Sequence, residues 1–266
     1  MDVSVLGPLE ASESGLSIVP TAAKPRTLLA LLAAYAGQVT PVDVIVAELW
    51  EEDPPQSAFT TIQTYVLQLR RLIESALQRS PGHHTHSAKC VLRTEPGGYV
   101  LNQSQGCFDL IEHERLAARG YDAIQAGDFR TAKRSIEAAL ALWRGSAFVD
   151  VVAGPRLSAQ AALLEESRRT LLERRIEADL RLGRHHELIG ELAGLTAQHT
   201  TDERLHEHFM VALYRAGRRS EALHVFRRLR SALAEELGID PTPSVLRLHQ
   251  CLLMADPVLE AGSAHR

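Results

Sequence analysis

The 266-residue chain lacks any run of about 18 apolar residues, so we expect no transmembrane helix. Its N-terminus lacks the basic start and apolar core of a signal peptide. Cysteine is scarce and scattered, since Cys90, Cys107 and Cys251 form no CxxC pair, which argues against a zinc ribbon or a disulfide framework. These absences predict a cytoplasmic protein with reduced thiols.

Motifs of common enzyme classes are also missing. The sequence has no GxxxxGK[ST], no GxGxxG after a strand, no GxSxG and no HExxH. We therefore expect neither an enzyme nor a bound cofactor or metal. His185–Glu187 lies in a turn, and His206 and His208 are two residues apart on a helix, so solvated or capping histidines are expected. The histidines of His83–His86 could bind a metal only adventitiously.

The net charge of −4 argues against non-specific coating of DNA, but it hides a basic segment. Residues 54–93 carry five Lys or Arg side chains against Glu74 alone. An acidic cluster that includes Glu48 directly precedes this segment. One basic stripe on an acidic domain suits an oriented anion-binding face.

The first hundred residues follow the order of a winged helix-turn-helix. "VSVLGPLEA" and "LSIVP" are typical of short strands. A helix is predicted from Lys24 to Ala36, and "TPVDVIVAELW" predicts a second, with Thr40 as N-cap and Pro41 at N1. A third helix, "FTTIQTYVLQLRRLI", precedes "CVLRTEPGGYVL", in which two β-rich runs flank a Pro-Gly turn.

A helical wheel divides the third helix into two faces. With 100° per residue, one face is apolar and is predicted to be buried: Ala58, Ile62, Val66, Leu69 and Ile73. The opposite face holds Thr60, Thr64, Leu67 and Arg71, flanked by Gln63 and Gln68. Gln side chains suit adenine, and Leu67 suits a thymine methyl group. Arg70 and Arg71 would hold phosphates. The alternative is a solvated face with one exposed leucine.

From Phe108 onwards the pattern is helical and repetitive. Gly127, Gly183 and Gly217 open equivalent phrases, with small or apolar residues five, nine and twelve positions later. The last spacing is the 34-residue period of tetratricopeptide repeats, and the first is longer because it holds an extra segment, Gly145 to Arg156. Paired antiparallel helices explain this pattern, and an irregular helical bundle is the alternative.

The chain resembles the Streptomyces antibiotic regulatory proteins over about residues 3–258. "LGPLEA", "KPRTLLALLAAYAGQVTPVDVIVAELW", "TTIQTYVLQLRRLI" and "LRTEPGGY" resemble their OmpR-type winged-helix domain. "ALALWRGSAF", "ALYRAGRRSEAL" and "EELGIDPTPSVLRLHQCLL" resemble their bacterial transcriptional activation domain. The fold class expected is mainly α with an N-terminal α+β part, divided into a winged helix (1–105), a tetratricopeptide-like helical domain (106–258) and a flexible tail (259–266).

The resemblance implies a small, pathway-specific activator of a secondary-metabolite gene cluster. Such activators bind promoter DNA at direct repeats near the −35 element and recruit RNA polymerase through its principal sigma factor. A homodimer on the DNA and association with the nucleoid are further expectations. A repressor whose repeat domain senses a ligand or a partner protein is the alternative.

The third helix is thereby assigned to the major groove, and the hairpin becomes the wing. Glu95 stands where related response regulators often carry Arg, so we expect Arg93 and Thr94 to make the wing's DNA contacts instead. The residues predicted to bind DNA are Thr60, Thr61, Gln63, Thr64, Leu67, Gln68, Arg70, Arg71, Arg93, Thr94, Gly97, Gly98 and Tyr99.

Overall fold

The computed structural model describes residues 1–79, 87–103, 106–256 and 259. The chain divides into two compact units with separate hydrophobic cores. Unit 1 comprises Met1–Leu116 and Ala138–Arg169, and unit 2 comprises Ala117–Glu137 and Thr170–Arg266. The histidines of His83–His86 and most of the predicted tail lie outside the described residues.

Unit 1 begins with an antiparallel sheet in the order β1-β2-β3. The strands are β1 (Asp2–Ser4), β2 (Glu10–Glu13) and β3 (Leu16–Ser17). Ser14 and Gly15 join the last two and both have positive φ, as a tight hairpin turn requires. Val3 pairs with Ala11, and both side chains are buried in the core.

The predicted winged helix-turn-helix is confirmed. Its helices are α1 (Ala23–Ala34), α2 (Val42–Trp50) and α3 (Ala58–Gln78). The prediction of Thr40 as an N-cap is wrong. Thr40 and Pro41 form a strand, β4, that pairs with Tyr99 and Gly98, so the helix begins at Val42, one residue later than expected. Sheet pairing of Thr40 buries its side chain and takes it away from the helix terminus.

The wing is an antiparallel sheet in the order β4-β6-β5, with β5 (Leu92–Glu95) and β6 (Gly98–Leu101) as its hairpin. The hairpin turn is Pro96–Gly97, and Gly97 has φ +79°, as the third position of a type II turn demands. Cys90 and Val91 were expected in the first strand but form part of a short helix, α4 (Ala88–Val91). The carboxylate of Glu74 accepts a hydrogen bond from the Ala88 N–H and thereby stabilises the start of this helix.

Most of the remaining described chain is helical, as predicted. The helices are α5 (Asp109–Gln125), α6 (Phe129–Ala141), α7 (Pro155–Arg181), α8 (His185–Gln198), α9 (Glu203–Arg215), α10 (Arg219–Ala232), a π-helical turn (Leu233–Leu237) and α11 (Pro243–Met254). None of the helices in the described ranges is long and apolar enough to cross a membrane.

The three repeat glycines occupy the same kind of turn. Gly127, Gly183 and Gly217 have φ of +74°, +74° and +73°. In each turn the glycine N–H donates to the carbonyl three residues earlier, and the next N–H donates to the carbonyl five residues earlier. This is the Schellman arrangement, which favours glycine because it needs a left-handed residue. The predicted sequence repeat is therefore confirmed in the structure, where each of its glycines ends a helix with the same turn.

The extra segment of the first repeat connects α6 to α7 and packs in unit 1. Phe148 of this segment and Trp143, just before it, are buried in the same core as the winged-helix residues. Glu48 of α2 is only 4% exposed, and its carboxylate accepts hydrogen bonds from the N–H groups of Gly154 and Arg156, both at 2.7 Å. The carboxylate of Glu48 thus holds the first turn of α7 against the winged helix, where unpaired N–H groups favour an anion.

Candidate nucleic-acid interface

Helix α3 has the two faces that the helical wheel predicts. All five residues of the apolar face are buried in the core of unit 1: Ala58, Ile62, Val66, Leu69 and Ile73. The opposite face is open to solvent and carries Thr60, Gln63, Thr64, Leu67, Gln68 and Arg71. Leu67 is 49% exposed. The fold therefore brings these six side chains together on one surface of one rigid helix.

Two of the three threonine hydroxyls of α3 are turned back onto the helix. Thr61 Oγ1 donates to the Ser57 carbonyl at 2.9 Å, and Thr64 Oγ1 donates to the Thr60 carbonyl at 3.0 Å. A hydroxyl whose proton is used in this way can still accept through its oxygen lone pairs. Thr64 thus presents an acceptor and a methyl group to solvent, whereas Thr61 is half-buried and lies beside the exposed face.

Arg70 is engaged with the wing. Its Nε and Nη2 donate to the Leu92 carbonyl at 3.0 and 2.8 Å, and Nη2 also donates to Thr94 Oγ1 at 2.8 Å. The Arg70 guanidinium therefore binds two groups of strand β5 through Nε and Nη2, and a phosphate contact from this side chain stays a prediction. We refer to this set of hydrogen bonds as the Arg70 latch.

The wing residues divide into exposed and buried ones. Arg93 and Thr94 are exposed, and Arg93 Nη2 lies 3.4 Å from the Glu95 carboxylate. Gly98 and Tyr99 are buried, and a Cβ on Gly98 would lie 2.3 Å from the Thr40 carbonyl oxygen. We therefore correct the assignment of Gly98 and Tyr99 to the DNA surface, since their close packing against β4 leaves them out of reach. Gly97 stays exposed at the tip of the turn.

A cleft of about 390 Å³ opens between α3, α4 and the wing. It is lined by Arg70, Lys89, Arg93, Thr94 and Glu95. Lys89 was counted in the basic segment but was not predicted as a binding residue, because the sequence does not show that α4 places it beside Arg93. Lys89 and Arg93 therefore place positive charge in this cleft beside the Arg70 latch.

Phe59 is a second residue that the sequence prediction missed. It lies in the first turn of α3 and is 63% exposed. On the helical wheel Phe59 lies next to the apolar face, and an aromatic residue at such a position is more typical of the core than of a DNA-binding surface. An exposed aromatic ring next to Gln63 enlarges the apolar part of the reading surface.

The buried His206 and the half-buried His208 do not follow the expectation of solvated or capping side chains. His206 is 3% exposed, and its Nδ1 lies 2.8 Å from the Asp202 carbonyl. Burial, together with the charge of Arg204, lowers the pKa of His208 to about 4. The expectation was wrong for these two because α9 packs inside unit 2 against α8, α10 and α11. Within the described residues, no group of three His, Cys, Asp or Glu is placed to hold a metal ion.

Family models match both parts of the chain. Residues 17–101 match the model described as "Transcriptional regulatory protein, C terminal", and residues 108–253 match "Bacterial transcriptional activator domain". The α3 surface and the wing fall in the first match. The repeat turns fall in the second.

Relatives in the genus Streptomyces cover almost the whole chain. Regulatory protein DnrI of Streptomyces peucetius is 47% identical over 98% of this chain and 94% of its own length. Regulatory protein AfsR of Streptomyces coelicolor is 39% identical over 98% of this chain, which spans about a quarter (25%) of AfsR. The solved structure of Mycobacterium tuberculosis EmbR in complex with a low-affinity phosphopeptide superposes with a TM-score of 0.86 at 32% identity, covering 98% of this chain and 67% of EmbR.

Proposed function

The chain belongs to the Streptomyces antibiotic regulatory protein family of transcriptional regulators, and from this membership we propose that it is a sequence-specific DNA-binding activator of a secondary-metabolite gene cluster. It binds direct repeats near the −35 element and recruits RNA polymerase. In this proposal the protein acts by binding DNA and RNA polymerase and catalyses no reaction.

The exposed face of α3 carries the proposal. Gln63 and Gln68 can each make paired hydrogen bonds to an adenine edge, and Leu67 can touch a thymine methyl group in the major groove. A face that needed only solvation would have no use for a half-exposed leucine between two glutamines. We propose that α3 lies in the major groove with this face towards the bases.

Phosphate contacts come from cations around that face. Arg71 is exposed on α3, and Lys89 and Arg93 line the cleft beside the wing. Each of these side chains can hold a backbone phosphate, which fixes position rather than sequence. Arg70 acts indirectly, because the latch sets the angle between the wing and α3.

Base reading and phosphate anchoring are separated by three alanine variants. Operators selected from random duplexes would be titrated with Gln68→Ala, Thr64→Ala and Arg71→Ala at several salt concentrations. We expect the first two to lose about 1–3 kcal/mol on the operator and little on random DNA. We expect Arg71→Ala to weaken binding to both and to lower the salt slope by about one unit.

Arg119→Ala is the matched control for charge, because Arg119 is exposed and lies on α5, away from the α3 sequence. It should leave operator affinity unchanged. Equal losses on operator and random DNA for all three α3 variants would contradict the assignment of base reading to this face.

Activation is tested by the position of the footprint and by transcription in a purified system. Protection that overlaps −35, together with increased transcript, is the expected result. Protection over the transcription start, with less transcript, would instead support a repressor.

A further inference from the structure

Unit 2 contains a basic pocket that the DNA-binding proposal does not use. The pocket has a volume of about 370 Å³ and lies between the start of α6 and the turn that joins α7 to α8. It is lined by Arg130, Lys133, Arg134, Leu182 and Arg184. The four charged side chains of the lining are all cations.

Two of these cations are fixed in place by carboxylates behind them. Lys133 Nζ lies 2.8 Å from Asp179 and 2.9 Å from Glu137, and Asp179 is itself buried. Arg184 Nη2 lies 2.9 Å from Glu187. These ion pairs orient the two side chains before any ligand arrives, so less conformational entropy is lost on binding.

The other two cations are available to a ligand. Arg130 and Arg134 are exposed and lie one helical turn apart on α6. Within the described part of the chain neither forms an ion pair, and the Arg134 side chain makes one long contact of 3.4 Å to Thr131 Oγ1. The nearby Asp128 carboxylate already accepts from the Thr131 N–H as the cap of α6. Two guanidinium groups with unused N–H donors therefore line the same pocket.

We propose that this pocket binds the phosphate monoester group of a small molecule. A guanidinium can donate two parallel hydrogen bonds to a phosphate. Two arginines one helical turn apart can therefore both bind the oxygens of one phosphate group. Lys133 and Arg184 supply further positive charge, and Leu182 gives an apolar contact for the rest of the ligand. The volume is that of a small-ligand site, at the lower end of the usual range.

The proposal is tested on the full chain by calorimetry at fixed ionic strength, with glucose 6-phosphate as probe and glucose as its neutral counterpart. We expect saturable binding of glucose 6-phosphate alone. The variant Arg130→Ala/Arg134→Ala should weaken it at least about tenfold, because charge-assisted hydrogen bonds are lost. The matched control is Arg227→Ala/Arg228→Ala, which removes the same charge from exposed positions of α10 and should bind like the parent protein.

The source of the phosphate is distinguished by a third probe, a phosphoserine peptide. Tighter binding of the peptide than of the sugar phosphate would overturn the small-molecule assignment in favour of a modified protein. Equal weakening in both double variants would show a general charge effect and also overturn it. Displacement of the sugar phosphate by random duplex DNA, with loss of DNA affinity in Arg130→Ala/Arg134→Ala, would reassign the pocket to nucleic acid. Affinity of the same variants for the selected operator reports separately on the α3 surface.

Discussion

Arg70 and Arg71 are neighbours in the sequence but have different surroundings in the structure. The Arg70 guanidinium binds the Leu92 carbonyl and Thr94, whereas Arg71 faces solvent. A helical wheel separates neighbours by 100°, but it does not show that strand β5 passes beside one of them. The latch could therefore not be predicted from the sequence, because it depends on the tertiary contact between α3 and β5.

The latch predicts a distinct effect for Arg70→Lys. A lysine keeps the charge but cannot reproduce the forked donation to Leu92 and Thr94. We expect weaker operator binding with an unchanged salt slope, because the number of neutralised phosphates stays the same. Fluorescence anisotropy across a salt series measures both quantities. A drop in slope of about one unit, as for Arg71→Ala, would show that Arg70 does contact a phosphate.

His208 predicts a loss of stability in mild acid. Its folded pKa is about 4 because burial opposes the charged ring, whereas the unfolded value is about 6.5. Between these values the unfolded chain binds the proton and the folded chain does not, so the free energy of unfolding falls as pH falls. The slope from this group is at most about 1.4 kcal/mol per pH unit.

Denaturant titrations between pH 4 and 6.5 check this slope. His208→Gln should make the pH dependence shallower, whatever its effect on stability at pH 7. The exposed His199→Gln is the control and should leave the slope unchanged. His206, His185 and His249 also have pKa values lowered by burial, so part of the slope should remain. An unchanged slope in His208→Gln would contradict the assignment.

Among the elements, the three repeat turns have the same conformation and the same hydrogen bonds. This uniformity predicts the effect of Gly217→Ala, which places a Cβ at φ +73° and should destabilise unit 2 by about 1 kcal/mol. Gly194→Ala is the matched control, since Gly194 lies inside α8 with open space around its Cα. It should stabilise by up to about 1 kcal/mol. Thermal unfolding distinguishes the two, and equal shifts would contradict the role of the turn.

The sequence was most informative where structure depends on local periodicity. The buried line of α3, the bounds of α1 to within about two residues and the repeat glycines all follow from spacing and turn chemistry. It was least informative where partners are distant. Thr40, Arg70 and Glu48 take their roles from strands or helices far along the chain. Glu48 was read as one member of an acidic cluster, and no local signal marks it as buried.

At the scale of the whole molecule, the winged helix shares its core with residues from the bacterial transcriptional activator match. Phe148, Leu157 and Leu164 belong to the same buried cluster as Ile45 and Leu49. The domain boundary predicted at residue 105 stays a prediction for the family modules, but packing in unit 1 extends to Arg169. Deletion of a single buried leucine or phenylalanine costs about 2–5 kcal/mol, which is a large part of an ordinary domain's stability.

We therefore predict that residues 1–106 alone do not fold stably, while residues 1–169 retain unit 1. Circular dichroism melting and limited proteolysis of the two fragments measure this. Within the full chain, Glu48→Gln should destabilise by about 1–3 kcal/mol, because an amide NH₂ would face the N–H donors of α7. The exposed Glu52→Gln should have no effect. A cooperative melt of residues 1–106 near that of the full chain would contradict the shared core.

The hydrogen bonds from α7 to Glu48 bear on how such regulators can recombine. A chimaera joined at residue 105 would separate a buried carboxylate from its donors and divide one core between two parents. Retargeting to a new promoter is therefore better done by grafting the six exposed positions of α3 than by exchanging the winged helix. The same constraint should confine natural crossovers to points after residue 169.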